Sequence, residues 1–239
     1  MITEHGNQGH IPVIYEDNHL LVVIKPVNIP TQLDESGDSD LLTLLKADLK
    51  IRYNKPGQVF LGLVHRLDRP AGGIMVFAKT SKSAARLSEQ IRTHSMMKHY
   101  YAVVHGQPDV SSGSLRHYLI KDSATNTVKT ASAQNKDAKE ARLNYQVVGQ
   151  IERFSLIRID LLTGRPHQIR VQMSSIGCPL FGDQKYGAAV NKPGQQLALW
   201  STRLTFTHPT SKEILTFNAL PPNEIPWSLW SDSIYHSEE

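Results

Sequence analysis

Apolar and polar residues alternate along this chain in two rhythms, one of period two and one close to 3.6. His19 to Lys25 (HLLVVIK) is a short apolar run rich in Val and predicts a buried strand. Pro26 and Pro30 then enforce a loop. Leu41 to Ile51 carries leucines at 41, 42, 44, 45 and 49 behind a start signal at Ser39 or Asp40, which predicts a helix. Phe60 to Val64 and Ile74 to Ala78 read as strands on either side of a polar turn. Thr80 or Ser81 caps a second helix reaching about His94, with Ala84, Leu87, Gln90 and Ile91 at helical spacing. Tyr100 to Val104 is another strand. From Leu115 to Lys139 the chain turns polar, which predicts a flexible hairpin or insertion of the kind that meets ligands. Strands resume at Ala141–Val148 and Phe154–Leu162. Ile169, Met173 and Ile176 place a third helix over 166–176, with Pro166 as its first residue. Strands near Leu197–Phe206 and Ile214–Phe217 close the pattern. Strands outnumber helices, and several neighbours are too close for βαβ crossovers. The expected class is α+β: one domain on a large mixed, mostly antiparallel sheet flanked by helices and loops.

Composition narrows the partners. The 239 residues are 40% apolar and 20% charged, ordinary for a globular protein. No apolar run approaches the roughly 18–20 residues that cross a bilayer. The start, Met1-Ile2-Thr3-Glu4-His5, lacks a basic-then-apolar signal, so a cytoplasmic protein without membrane contact is expected. The single cysteine, Cys178, cannot form an internal disulfide and reads as a buried, inert thiol. Net charge is only +4, but it is uneven. His65 to Lys98 holds seven Lys or Arg against Asp68 and Glu89, whereas Ala219 to Glu239 has four acids and no Lys or Arg. Basic charge gathered in one stretch favours a polyanionic partner; a solvated basic helix face is the plainer account.

Three clusters carry candidate chemistry. In His65-Arg66-Leu67-Asp68-Arg69-Pro70-Ala71-Gly72-Gly73, an extended backbone puts Arg66 and Asp68 on one face, with His65 and Leu67 turned away. Asp68 is then an anion at neutral pH, able to act as nucleophile or base, or to serve as one half of a structural ion pair. Gly164-Arg165-Pro166-His167-Gln168-Ile169-Arg170 places Arg165 and His167 at a predicted helix N-terminus suited to phosphate. In Lys98-His99-Tyr100-Tyr101, Lys98 and Tyr100 share a strand face, and the ring is placed either to stack on a base or to fill the core. No metal motif and no glycine-rich nucleotide loop appears, so no metal and no cofactor is expected. A metal-dependent nuclease using Asp68 with Asp160 or Asp183 remains a rival.

The order of these clusters resembles the RluA-type family of RNA pseudouridine synthases. The resemblance runs from about Val13 to Pro222. It opens on Val13-Ile14-Tyr15-Glu16-Asp17 through Lys25-Pro26 and passes through His65-Arg66-Leu67-Asp68 and Lys98-x-Tyr100. It continues with Gly164-Arg165-x-His167-Gln168-Ile169-Arg170 and Gly177-Cys178-Pro179-Leu180-Phe181-Gly182-Asp183 and closes on His208-Pro209 and Leu220-Pro221. It implies the pseudouridine synthase fold and isomerisation of uridine in a structured RNA, tRNA or rRNA, by an enzyme without a cofactor. Asp68 is implied as the catalytic aspartate, Tyr100 as the residue against the uracil, and Arg170 as the partner of Asp68. Arg66 is implied to flip the nucleotide. Arg69, Arg165, His167, Gln168 and Lys98 complete the expected substrate-binding set. Breaking N1–C1′ and forming C5–C1′ involves no redox step. The anion is placed to stabilise charge at C1′, to attack it, or to remove a ribose proton.

Two departures from the family pattern stand out. Asn28 replaces the glycine of Lys-Pro-x-Gly, and Arg69-Pro70-Ala71-Gly72-Gly73 lacks two hydroxyls that many relatives carry after the aspartate. Asn tolerates a left-handed backbone, so the first turn is expected to survive. The expected division is an extension at 1–12, a catalytic domain at 13–222 and an acidic tail at 223–239. No S4-like domain and a monomer are expected. A silent RNA-binding module on the same scaffold is the second rival.

Overall fold

Eleven strands join into one mixed sheet in the computed structural model, which describes residues 11–236. In chain order these are β1 (Val13–Glu16), β2 (Leu20–Lys25), β3 (Gly62–Leu63), β4 (Gly72–Ala78), β5 (Met97–His105), β6 (Ser112–Asp122), β7 (Thr127–Ala131), β8 (Lys139–Ile151), β9 (Phe154–Leu161), β10 (Leu199–Thr207) and β11 (Ile214–Asn218). The helices are α1 (Leu41–Arg52), α2 (Ser81–Arg92), α3 (Gln168–Ser175) and α4 (Ser233–His236), with a 3-10 turn at Trp227–Leu229. The sheet runs β1-β2-β4-β10-β5-β9-β8-β6-β7, with β11 on β10 and β3 on β4. Among the described residues, β4–β10 is the one parallel pairing of named strands. The expected α+β class with a mostly antiparallel sheet is what the chain adopts.

The centre of the sheet, at β2, β4, β5 and β10, is buried on both faces. In β2, Leu21 and Val23 join one core with α1 (Leu41, Leu45, Leu49) and α3 (Ile169, Met173). Leu20 and Val22 point the other way, with Leu87 of α2 and Phe206 of β10. That alternation follows from the period of a strand. Helix α1 starts where Asp40 accepts the Thr43 N–H at 3.0 Å, and α2 where Thr80 accepts the Ser83 N–H at 3.1 Å. Gln90 of α2 clamps Thr207 of β10 through both its amide groups.

Strands β4 and β10 ladder only at Gly72–Trp200 and Gly73–Ser201. Both glycines are required there. A Cβ on Gly72 would lie 2.3 Å from the Trp200 ring, and Gly73 has φ +114° with the Ser201 carbonyl oxygen 2.3 Å from its would-be Cβ. Further along, the Val76 N–H is taken by His65 Nε2 at 3.0 Å. The same bond shortens the strand expected over 60–64. β3 pairs Gly62 with Ala78 and Leu63 with Phe77, then stops where the His65 ring occupies the Val76 donor. Phe60 is left half exposed.

The polar stretch 115–139, expected as a hairpin or insertion, contains most of the β6–β7 hairpin, laddered from Tyr118–Ala131 to Asp122–Thr127. Helix α3 begins at Gln168, not Pro166, because His167 takes a left-handed conformation (φ +50°) before it. Of the acidic 223–239 segment, Trp227 and Trp230 are buried against Tyr101, Val103, Leu156 and Trp200. Residues 1–10 of the expected extension and 237–239 of the tail lie outside the described residues.

Candidate active site

Asp68 sits on the loop between β3 and β4, and five successive backbone carbonyls of that loop are held. The Thr31 hydroxyl donates to the Leu67 carbonyl at 2.9 Å. The Ala71 N–H closes a turn onto the Asp68 carbonyl at 3.0 Å. The Lys25 ammonium donates to the carbonyls of Arg69 (3.0 Å), Ala71 (2.7 Å) and Pro26 (2.9 Å). The Gln196 amide donates to the Pro70 carbonyl at 2.6 Å. Asn28, at φ +65°, donates to Gln196 at 2.8 Å, so the turn without its glycine survives and braces the same loop. Lys25 is fully buried, and burial pushes its ammonium down to about 7, against the attraction of Asp68. Only the protonated amine has three N–H groups for three carbonyls.

Arg170 enters from α3. Its Nη1 donates to Asp68 at 3.1 Å, while Nε and Nη2 donate to the two oxygens of Asp183 at 2.8 Å each. Asp183 side-chain exposure is 0%, Arg170 6% and Asp68 23%, so the outermost member alone is open to an incoming group. Burial opposes charge on Asp183, yet the Arg170 hydrogen bonds and the N–H groups of Tyr186 and Lys185 hold it below the usual carboxylate range. The Tyr186 ring covers the guanidinium at 5.2 Å. Its hydroxyl meets His167 Nδ1 at 2.6 Å and accepts the Val128 N–H of β7 at 2.8 Å. Burial lowers the His167 pKa, with Asp68 pulling the other way.

Tyr100 completes the group from β5. It is buried in the core that contains Leu67 and Ile169, and burial, with help from the Asp68 charge, raises its hydroxyl pKa. Lys98, two residues away, places Nζ 3.4 Å from where a Cβ on Gly164 would stand, and burial lowers its pKa. It also helps push His65 down to about 3, behind burial as the larger cause.

The other expected residues scatter. Arg66 is exposed beside Asp68, while Leu67 turns into the core and His65 to the β4 backbone. Arg69 is tied to Asp38 and Ser36 on a surface loop. Arg165 donates to the Glu140 carbonyl at 2.8 Å. Gln168 is buried: its Oε1 accepts from Thr163 and from the Arg165 N–H, and its Nε2 donates to the Arg142 carbonyl. With its amide engaged on both sides, it braces the approach to α3. Of the rival nuclease's carboxylates, Asp183 is bonded to Arg170 and Asp160 to His99 at 2.6 Å, so the three do not converge. The sequence reasoning passed over Lys25, Thr31, Gln196 and Tyr186. The bonds from Lys25 and Gln196 to carbonyls 69, 70 and 71 span 44 to 126 residues, with one local clue in the charge that ends an apolar strand at Lys25.

A braced carboxylate, a guanidinium and a buried tyrosine lie together, with the anion facing outward. Comparison with known proteins identifies the family. The RNA pseudouridylate synthase family matches residues 19–175. The chain is 34% identical over 233 residues to ribosomal large subunit pseudouridine synthase D of Zymomonas mobilis, covering 92% of this chain and 73% of that one. It is 31% identical over 218 residues to the RNA pseudouridine synthase YhcT of Bacillus subtilis, covering 91% and 70%. The fold is shared with human RNA pseudouridylate synthase domain containing 4, at TM-score 0.76, 24% identity and 91% coverage of each chain.

Proposed function

Since this chain belongs to the RNA pseudouridylate synthase family and isomerises uridine to pseudouridine in RNA, we propose that Asp68 is its catalytic group, acting with Tyr100 and Arg170. The observation that carries this reading is the carboxylate itself, held on a loop with carbonyls 67 to 71 all bonded and joined to Arg170 at 3.1 Å. Fixed geometry of this kind lowers the entropy lost on reaching the reacting arrangement. In this reading the target uridine leaves its stack, at a cost of a few kcal/mol. Stacking on the Tyr100 ring returns roughly 1–3 kcal/mol of that. The Asp68 anion then meets the positive charge that develops at C1′ as the N1–C1′ bond breaks. Tyr100 confines the detached uracil until C5 faces C1′, and water is kept from the sugar. Exposed Arg66 stands at the mouth to fill the gap left by the flipped base, and Lys98 supplies positive charge for the phosphates. Residues 13–222 form the catalytic unit.

The substrate in this reading is ribosomal RNA, as in the relative named for the large subunit, and the compartment is the cytoplasm. No helix among the described residues is long and apolar enough to cross a membrane. The test maps pseudouridines across total RNA from cells with the protein, without it, and with Asp68→Asn. Sites present with the wild type and absent in both other strains are expected in ribosomal RNA, with D68N still binding that RNA. Undiminished modification by D68N would overturn the assignment of Asp68.

A further inference from the structure

Arg170 belongs first to Asp183. Two of its nitrogens bond Asp183 at 2.8 Å, while one reaches Asp68 at 3.1 Å. Asp183 accepts in addition the N–H groups of Lys185 (2.9 Å) and Tyr186 (3.1 Å) on the same oxygen, so its carboxylate is held from three sides in a fully buried place. The Tyr186 ring closes the face of the guanidinium. We propose that Asp183 is a positioning and charge-compensating residue for the isomerisation: it holds Arg170 against Asp68 and balances the arginine's charge while Asp68 is engaged with the substrate. The proposal rests on Asp68 being the catalytic carboxylate.

The physical case is electrostatic. Asp68, Arg170 and Asp183 together carry one net negative charge. Arg170 thus aims the Asp68 carboxylate without cancelling its anionic character. When the sugar engages Asp68, that carboxylate stops serving as counter-ion to Arg170. A buried cation left without a partner is strongly disfavoured. Asp183, already bidentate on the guanidinium, removes that penalty from the reaction path. Bidentate geometry also fixes the plane of the guanidinium, and with it the direction of Nη1.

The test is a double-mutant cycle in the full-length chain on the RNA it modifies. Asp183→Asn keeps the shape and removes the charge. Its kcat is expected to fall about 100-fold while KM stays within about threefold, because the RNA itself does not touch Asp183. Adding Arg170→Gln to D183N is expected to lower kcat by less than about threefold further, since Asp183 works through Arg170. A kcat for D183N within about threefold of wild type would overturn the proposal. So would a loss confined to KM, or a double mutant whose loss is the product of the single ones. If D183N does not melt cooperatively, the neutral pair R170Q/D183N decides: restored folding with RNA affinity retained supports compensation, and no restoration refutes it. Asp68→Asn runs beside every variant. Turnover by D68N would remove the premise about Asp68, a result distinct from any of these.

Discussion

At position 25 a lysine ends an apolar strand, and its ammonium is completely enclosed. A buried lysine is tolerated only with full hydrogen bonding, and three carbonyls supply it. Two of those carbonyls, of Arg69 and Ala71, follow Asp68 on the β3–β4 loop, so Lys25 braces the backbone that carries this carboxylate. Lys25→Met fills similar volume and leaves three acceptors bare, a loss of roughly 3 kcal/mol at about 1 kcal/mol each. Denaturant unfolding should show that drop, together with a kcat loss that exceeds any change in RNA affinity. At this scale the pairing of Asp68 with Arg170 was legible from the family motifs. Gln168 was not, because its amide is taken by Thr163, Arg165 and Arg142, a set that only the turn before α3 brings together. The partner of Arg69 was equally hidden: its charge meets Asp38, thirty-one positions away.

Helix α3 meets the β6–β7 hairpin through the Gln172 amide, which donates to the Leu115 carbonyl at 3.2 Å, and through one hydroxyl near its head. Tyr186 Oη accepts the Val128 N–H from β7 and meets His167 Nδ1 at the head of α3. Lys185 adds a bond from Nζ to the Asn126 carbonyl at 2.7 Å. The hairpin is thereby latched to the loop that carries Asp183. Tyr186→Phe removes the Val128 bond of this latch and keeps the ring under Arg170. Hydrogen exchange at the Val128 amide should speed up about tenfold, the equivalent of one lost hydrogen bond. Unchanged protection there would mean that the Tyr186 hydroxyl does not hold β7. Elements were read well where local signals exist. Asp40 and Thr80 cap α1 and α2 where the sequence placed them, and β2, β4, β5, β8, β9, β10 and β11 fall on the apolar runs. The strands of the polar hairpin lack that signal, because much of their surface faces solvent.

Across the whole molecule, His65 ties folding to pH. Its Nε2 accepts the Val76 N–H, which requires the neutral ring, and burial holds its pKa at about 3. The unfolded chain gains a proton at this histidine near pH 6.5, while the folded chain does not until about 3. Folding is therefore at full strength above 6.5 in respect of this group, and weakens as pH falls through that window by up to about 1.4 kcal/mol per unit. His65→Gln should flatten the dependence between pH 6.5 and 4 in urea unfolding; an identical slope in the variant would assign the acid loss to other groups.

The linear order of residues determined the family, the α+β class and the capped helices, since each follows from local pattern or from motifs read in place. Tertiary structure alone decided which charges meet. The β4–β10 contact at Gly72 and Gly73, the loop carbonyls held by Lys25 and Gln196, and the pairing of Arg170 with Asp183 before Asp68 all join distant segments. A side chain's partners depend on distance in space, and the preferences of single residues carry no information about that distance until the sheet has closed.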